Sequence, residues 1–407
     1  MSLLSVEDAQ ARLLGATRPV ERRETIALDL ADGRVLATDI RSRLTQPPFD
    51  ASAMDGYALR AEDVPQPGAE LKVIGVSAAG HAFDGTVGPG ETVRIFTGAP
   101  VPAGADAVLI QEDAEKRDDG VIRTTFEVTK GRHIRPRGQD FAEDEVVLQA
   151  GDRLDFSRLM LIAATNHATV DVFERPKVAI LATGDELVPP GTEPGPSQII
   201  GSNTFAIAAL ARQSGAEVID LGIVRDDRAA ITAAIGRARD AGVDVLVTLG
   251  GASVGDHDLV QSTLVASGMR LDFWKIAMRP GKPLMVGELD GMHVLGLPGN
   301  PVSSMVCGLL FLEPLLAVLT RRPPLSRQGT ARTATFLSAN DKRQDYLRAR
   351  LGRAADGTLV AESYGKQDSS MMKIFARSDC LIIRPPQAPE MAAGSLTPIL
   401  LLRPDTY

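Results

Sequence analysis

The chain has 407 residues, of which 44% are hydrophobic, 24% charged and only 4% aromatic, with a formal net charge of −8. Single cores stop growing well short of that length, so several domains with aliphatic cores are expected. The acidic balance and the absence of a dense Lys/Arg run argue against a nucleic-acid binder. Cys307 and Cys380 lie far apart with no metal-ligand spacing and read as buried thiols, which fits a reducing, cytoplasmic setting. Met1 to Gly15 is amphipathic and acidic at Glu7 and Asp8, unlike a signal peptide. The longest apolar segment, Met305 to Thr320, is short for a span and contains Glu313-Pro314; it reads as a buried helix, and no membrane association is expected.

In chain order, Ser5 to Leu14 has helical spacing, with Ser5 as N-cap and two acids in the first turn. Glu24 to Leu30 reads as a strand and Gly33 to Ala37 as a short helix or turn. The stretch Leu44 to Ala58 enters through Pro47-Pro48 and turns at Asp55-Gly56. It is either a functional loop dense in polar side chains or a proline-anchored turn. Leu71 to Val147 is β-rich and suggests a small barrel-like domain. Within it, Ile95 to Pro102 runs from strand to turn, and Ile134 to Asp140 is a basic turn ending in a carboxylate. Leu154 to Ala164 is helical and is expected to pack with the N-terminal helix. That packing defines a discontinuous linking domain, residues 1–23 and 143–173, around an inserted β-rich domain, residues 24–142.

From Pro176 onward strands and helices alternate, the signature of a doubly wound α/β domain over residues 174–322. Its expected strands are Lys177 to Ala182, Glu217 to Val224, Val243 to Thr248, Arg270 to Ala277, Leu284 to Glu288 and Met292 to Leu297. Residues 323–407 carry short alternating runs and read as a last small β domain.

The chemistry concentrates in the loops at the carboxyl edge of the α/β sheet. The most distinctive is Thr248 to Asp258, where Gly250, Gly251 and Gly255 accompany Ser253, Asp256 and Asp258. Glycines admit an anionic oxygen close to backbone N–H groups, and a neighbouring carboxylate can hold a hydrated divalent cation. Other loops bring Asp185, Glu186, Asp226 and Asp227, the cations Lys275, Arg279 and Lys282, and the helix opening at Pro301. Mixed acids and bases at one edge suit a phosphorylated ligand bound with Mg²⁺. Asp227 and Asp258 read as helix caps. Glu186 and Asp256 fit that role less well and are weighted towards function. Trp274 is expected in the core.

Five stretches together resemble the MoeA family, the molybdopterin molybdenumtransferases, to which gephyrin's E domain also belongs. They are Pro47 to Ala58, Thr183 to Leu187, Gly250 to Asp256, Arg279 to Pro283 and Leu297 to Pro301. The resemblance covers essentially the whole chain. It implies a multidomain α/β plus β protein: an α/β domain similar to the molybdopterin-adenylyltransferase (MogA/MoaB-like) fold, an inserted β domain, a helical linking domain and a C-terminal β domain. It implies a cytosolic homodimer whose active cleft lies between the α/β domain of one subunit and the inserted β domain of the other. The activity implied is insertion of molybdate into adenylylated molybdopterin, with Mg²⁺-dependent release of AMP.

Carried over by motif, the functional residues are Asp55, Thr97, Asp140, Glu186, Asp226 and Asp256, with Glu186 and Asp256 on the metal. Substrate contacts fall on Gly250, Gly251, Ser253, Gly255, Lys275, Arg279, Lys282, Pro298, Pro301, Arg348 and Ser369. Arg279 stands where some members have lysine. Gly365 to Ser370 departs from the Gly-His-Gln-Gly-Ser pattern of some members. Alternatives of related fold are a molybdopterin adenylyltransferase and a non-enzymatic scaffold like the gephyrin E domain. A molybdopterin adenylyltransferase is a candidate partner.

Overall fold

The computed structural model describes residues 3–250 and 259–406. The chain forms two compact bodies, one of Met1–Arg23 with Phe173–Tyr407 and one of Glu24–Val172.

The first body holds the α/β domain. Its strands are β1 (Lys177–Thr183), β2 (Glu217–Val224), β3 (Val245–Leu249), β4 (Arg270–Trp274), β6 (Met285–Leu289) and β7 (Met292–Leu297), while β5 (Met278–Arg279) leaves for another sheet. The order across the sheet is β2-β1-β3-β7-β6-β4. The first four are mutually parallel, and β6 and β4 extend the sheet antiparallel. β1 and β3 are buried along almost their whole length, as expected for strands covered on both faces. Helices α2 (Asn203–Gln213) and α3 (Arg228–Asp240) follow β1 and β2. Asp227 caps α3 by accepting from the Ala230 amide, as its position in the sequence suggested. Two aliphatic cores result, one on each face.

The apolar segment is a helix, Pro301–Leu319, long and apolar enough by composition to cross a membrane, yet most of it is buried inside this body. Pro314 offers no N–H to the preceding turn, and the ladder just before it, Gly308–Leu312, widens to a π turn. Gly308 lets α2 come close, since a Cβ there would lie 3.0 Å from Ile207 Cδ1.

The C-terminal strands are β8 (Gln328–Thr333), β9 (Gln344–Arg353), β10 (Leu359–Ser363), β11 (Cys380–Arg384) and β12 (Leu396–Leu401). They pair in the order β9-β10-β8-β12-β11, and β11 pairs back onto β9, so the sheet closes into a barrel. β5 adds to β9 in parallel. Residues Met278 and Arg279, read from sequence as a loop of the α/β domain, thus form an edge strand of the C-terminal barrel. A short helix, Met372–Arg377, also sits there, which the alternating pattern did not reveal.

In the second body, the six-stranded sheet follows the order Ala107–Ile110, Gly56–Leu59, Glu91–Ile95, Glu70–Ser77, Val121–Thr124, Ala114–Lys116. Its described pairings leave it open; barrel closure belongs to the C-terminal domain instead. A separate core joins Ala31, Leu36 and Ile40 to Leu154, Ile162, Val170 and Val172.

The expected linking domain is therefore corrected in two respects. Residues 143–172 share a body with 24–142, and their core recruits residues 31–40. The N-terminal helix α1 (Val6–Ala16) belongs to the first body and Leu154 to Ala164 to the second. Its buried face, Val6, Ala9 and Leu13, belongs to the α/β core with Leu312 and Leu316. The physical reason is the width of the apolar face on Pro301–Leu319, which needs a cover that α1 supplies. Ser5 does cap α1, accepting from the Asp8 amide at 3.0 Å.

The α/β and C-terminal domains are also joined through Arg327. Its Nε and Nη2 donate to both oxygens of Glu313 at 2.6 and 2.7 Å, and Nη1 donates to the carbonyls of Leu401 and Leu402. Both side chains are nearly buried, 8% and 12% exposed, so removing one leaves a desolvated charge. Arg327→Met is expected to cost about 3 kcal/mol in urea unfolding, and Arg327→Met with Glu313→Leu should recover most of that loss.

Candidate active site

A cleft of about 1120 Å³ opens in the first body between the carboxyl edge of the α/β sheet and the C-terminal domain. The strand ends β1, β3 and β7 run into it side by side. Two glycines make the floor possible. Gly250 has φ +95°, and a Cβ there would lie 2.9 Å from the Thr183 carbonyl. Gly184 has φ +149°, and a Cβ would strike the Glu186 carboxylate. A side chain at either position would fill the space where a ligand can approach the backbone.

Glu186 and Asp226 both line this cleft. Partial desolvation raises the pKa of Asp226, and the charges of Asp185 and Glu186 raise it further; the Asp185 amide works weakly against them. Asp185 is itself met by Arg225, 3.2 Å away. Two carboxylates, Glu186 and Asp226, thus line one end of the cleft, and the Asp185–Arg225 pair stands behind them.

The cations are distributed differently from the sequence expectation. Lys282 is exposed, lines the cleft and has no ion-pair partner among the described residues. Arg279 also lines it, but its guanidinium is engaged. Arg279 pairs with Asp345, which stands opposite it in the β5–β9 register, and lies 3.5 Å from Asp341. Asp345 is buried, and burial pushes its carboxyl upward against the pull of Arg279. Lys275 is not among the lining residues. Its backbone is left-handed, φ +75°, and its ammonium lies 4.3 Å from the centre of the Trp274 ring, which packs at the edge of the core.

Pro298, Pro301 and Ser369 line the cleft. Arg348, in the adjoining strand β9, is only 1% exposed, and among the described residues its Nε and Nη1 have no hydrogen-bond partner. Desolvation lowers its pKa, and Asp368 opposes that shift. Residues that the sequence reading passed over also contribute: Asn203, Arg343 and Gln367 line the cleft. Asn203 read as a helix cap, and its amide instead donates to the Gly299 carbonyl at 2.7 Å. Gly251, Ser253, Gly255 and Asp256 lie outside the described residues.

Asp55, Thr97 and Asp140 belong to the second body. Asp55 and Thr97 form a pair: the Thr97 amide and hydroxyl both donate to Asp55 Oδ1, at 2.8 and 2.7 Å. These bonds, helped by Arg94, hold the Asp55 carboxyl below its usual range. Asp140 is exposed in a turn anchored by its own amide on the Gln46 carbonyl.

The α/β domain belongs to a class of molybdopterin-binding domains: the family described as "Probable molybdopterin binding domain" matches residues 179–318. The flanking regions narrow the class further. The MoeA N-terminal region (domain I and II) matches residues 4–165 and the MoeA C-terminal region (domain IV) matches 330–402. The chain is 35% identical over 402 residues to the molybdopterin molybdenumtransferase of Haemophilus influenzae, covering 98% of both chains. It is 37% identical over 408 residues to molybdopterin molybdenumtransferase 2 of Mycobacterium tuberculosis, covering 96% of this chain and 98% of that one. The crystal structure of the molybdopterin biosynthesis MoeA protein from Pyrococcus horikosii superposes with a TM-score of 0.82 at 31% identity, covering 98% of this chain and 99% of that one. The chain belongs to the MoeA family and is a transferase of molybdenum cofactor biosynthesis.

The crowded carboxylates give a pH-dependent test. A raised folded-state pKa means that ionising Asp226 opposes folding, with the penalty absent below its ordinary value of 3.8 and growing as pH rises through the folded value. Asp226→Asn should therefore raise the unfolding midpoint at pH 8 by roughly 1 °C, the group being well solvated, and leave it unchanged near pH 3. A pH series of thermal melts checks the sign.

Proposed function

We propose that this chain inserts molybdenum from molybdate into adenylylated molybdopterin, releasing AMP in a Mg²⁺-dependent step, and that it works as a cytosolic homodimer. The observation that carries the reading is one cleft lined at once by Glu186 and Asp226 and by Lys282 and Ser369, with the guanidinium of Arg348 beneath. Acids of that kind suit a hard cation. Cations and hydroxyl donors suit phosphate and molybdate oxygens.

The residues present fit Mg²⁺. Glu186 and Asp226 offer carboxylate oxygens, and the repulsion that raises the Asp226 pKa is relieved by positive charge. No group of three or more candidate ligands is preassembled among the described residues. That suits an ion which keeps several waters and relies on substrate phosphates for the rest of its shell. When bound, Mg²⁺ would neutralise oxygens of the adenylyl phosphate. Asp256, the other expected ligand, lies outside the described residues.

The chain's own groups do the remainder. The glycine floor at Gly184 and Gly250 lets an anionic group approach the backbone. Lys282, a flexible point charge, meets the negative charge that grows on the departing AMP phosphate. The Ser369 hydroxyl meets oxyanion oxygens at the C-terminal wall, with the buried positive charge of Arg348 in the same domain behind it. Arg279, already engaged by Asp345, sets the wall in place.

Asp55, Thr97 and Asp140 enter through the dimer: in this reading they complete the cleft of the partner protomer. Asp55, kept ionised by Thr97, is suited to accept hydrogen bonds from the substrate. Two buried, unpaired thiols, Cys307 and Cys380, are in keeping with a cytosolic enzyme. An adenylyltransferase that supplies the adenylylated substrate is the expected partner.

Glu186→Ala and Asp55→Ala are each expected to lower AMP release by about 10²-fold or more. Mixing the two variants under conditions that exchange subunits should restore about a quarter of wild-type activity, because each mixed dimer then contains one intact cleft. No recovery, with subunit exchange demonstrated, would rule out the shared cleft. Full activity in both single variants would rule out the site.

A further inference from the structure

We propose that Asn300 is a positioning residue that makes the Ser369 hydroxyl a hydrogen-bond donor to the oxyanion in the cleft. The proposal rests on the reading above that an oxyanion occupies this wall.

Asn300 occupies the N-cap position of the helix opening at Pro301, yet its side chain makes no capping bond there. Asparagine at such a position ordinarily accepts from an amide of the first turn. Here the Val302 amide donates instead to the Ser369 carbonyl, 3.1 Å away, across the domain boundary. Released from capping, the Asn300 amide donates from Nδ2 to Ser369 Oγ at 2.9 Å. The two residues have exchanged duties: Ser369 caps the helix, and Asn300 holds Ser369. Asn203 steadies the turn by donating to the neighbouring Gly299 carbonyl.

The direction of that bond has a chemical consequence. A hydroxyl has one proton and two lone pairs. With a lone pair occupied by the Asn300 N–H, its proton is turned away from Asn300. The nearest acidic neighbour in sequence, Asp368, is turned towards Ser370, accepting its amide and hydroxyl on Oδ1 at 2.8 and 2.6 Å. Among the described residues the Ser369 proton has no acceptor, and Ser369 lines the cleft. The same loop is fastened above Arg348, whose backbone N–H and carbonyl are both bonded by Gln367. Donors without acceptors therefore gather at this wall: Ser369 Oγ on the surface, Arg348 Nε and Nη1 beneath. A neutral amide at residue 300 preserves that polarity. A carboxylate there would accept the serine proton and turn a lone pair towards the anion.

The test uses the full-length protein, with tungstate as the oxyanion probe in titration calorimetry and AMP release as the kinetic readout. Ser369→Ala and Asn300→Ala should each weaken tungstate binding about 5- to 10-fold. The double variant should bind no more than about twofold more weakly than Ser369→Ala, because the two act as a unit. Asn300→Asp, which keeps a good N-cap residue and so protects the fold, should bind more weakly than Asn300→Ala. KM for molybdate should rise in step while kcat at saturation holds. Losses that multiply in the double variant, or tungstate binding in Asn300→Asp equal to wild type, would overturn the positioning role while leaving the oxyanion site intact. Unaltered tungstate binding in Ser369→Ala and Lys282→Ala alike would overturn the oxyanion reading itself, and the proposal with it.

Discussion

The cleft exists because two residues change sheets. Met278 and Arg279 leave the α/β domain and pair in parallel with Gln344 and Asp345 of the C-terminal barrel, and the Gln344 amide donates to the Ala277 carbonyl at 2.8 Å. This short ladder fixes the barrel against the carboxyl edge of the α/β sheet. It also places the buried carboxylate of Asp345 directly opposite Arg279. A buried carboxylate without a partner would be costly, so the pair is as much a constraint as an attraction. Arginine suits the position better than lysine would. Its planar fork spans Asp345, Asp341 and the Asn340 side chain from one place, which a single ammonium cannot do. The consequence for chemistry is that one expected substrate ligand is committed to architecture, and Lys282, three residues on, is left as the mobile cation of that loop.

With the barrel fixed, the parallel sheet decides where the remaining groups fall. β1 and β3 are neighbours, and β7 lies beside β3, so three successive carboxyl ends deliver Thr183-Gly184, Gly250 and Pro298-Gly299 to one place. The backbones come close: a Cβ on Gly299 would lie 3.8 Å from the Gly250 Cα. The acids arrive by the same logic. Asp185 and Glu186 follow β1 and Asp226 follows β2, the adjacent strand, so parallel pairing alone brings like charges together. Their repulsion is built into the strand order.

Much of this was legible in the sequence, and the reasons for success and failure are physical. The near-continuous apolar runs of β1, β3 and β7 announced buried parallel strands, and Ser5 and Asp227 announced helix starts, because these features depend on local geometry. The glycines at 184 and 250 marked backbone that side chains cannot occupy. Interactions set by tertiary partners were not legible. A two-residue strand such as Met278–Arg279 has no period to detect. The packing of α1 depends on which apolar surface is left uncovered, not on its own pattern. Lys275 looked equivalent to Lys282 in the motif, but a left-handed backbone and the Trp274 ring take it elsewhere. Asn300 stands at the opening of a helix, and only the loop bearing Ser369 shows that its amide is used across the domain boundary.

Two carboxylates carried over together from one set of motifs have opposite electrostatic settings. Asp55 accepts two hydrogen bonds from Thr97 and is held below the ordinary carboxylate range; Asp226 is pushed above it by desolvation and by Asp185 and Glu186. The first is preorganised by donors already in place and needs no counter-charge to remain ionised. The second is relieved only when positive charge arrives. The Mg²⁺-dependent step proposed above would use both kinds: fixed acceptors that orient a ligand, and a frustrated acid that favours the state in which the cation and its phosphate partner are bound. On that proposal, the strand order that crowds β1 and β2 would couple the arrival of the cation to the binding of the substrate.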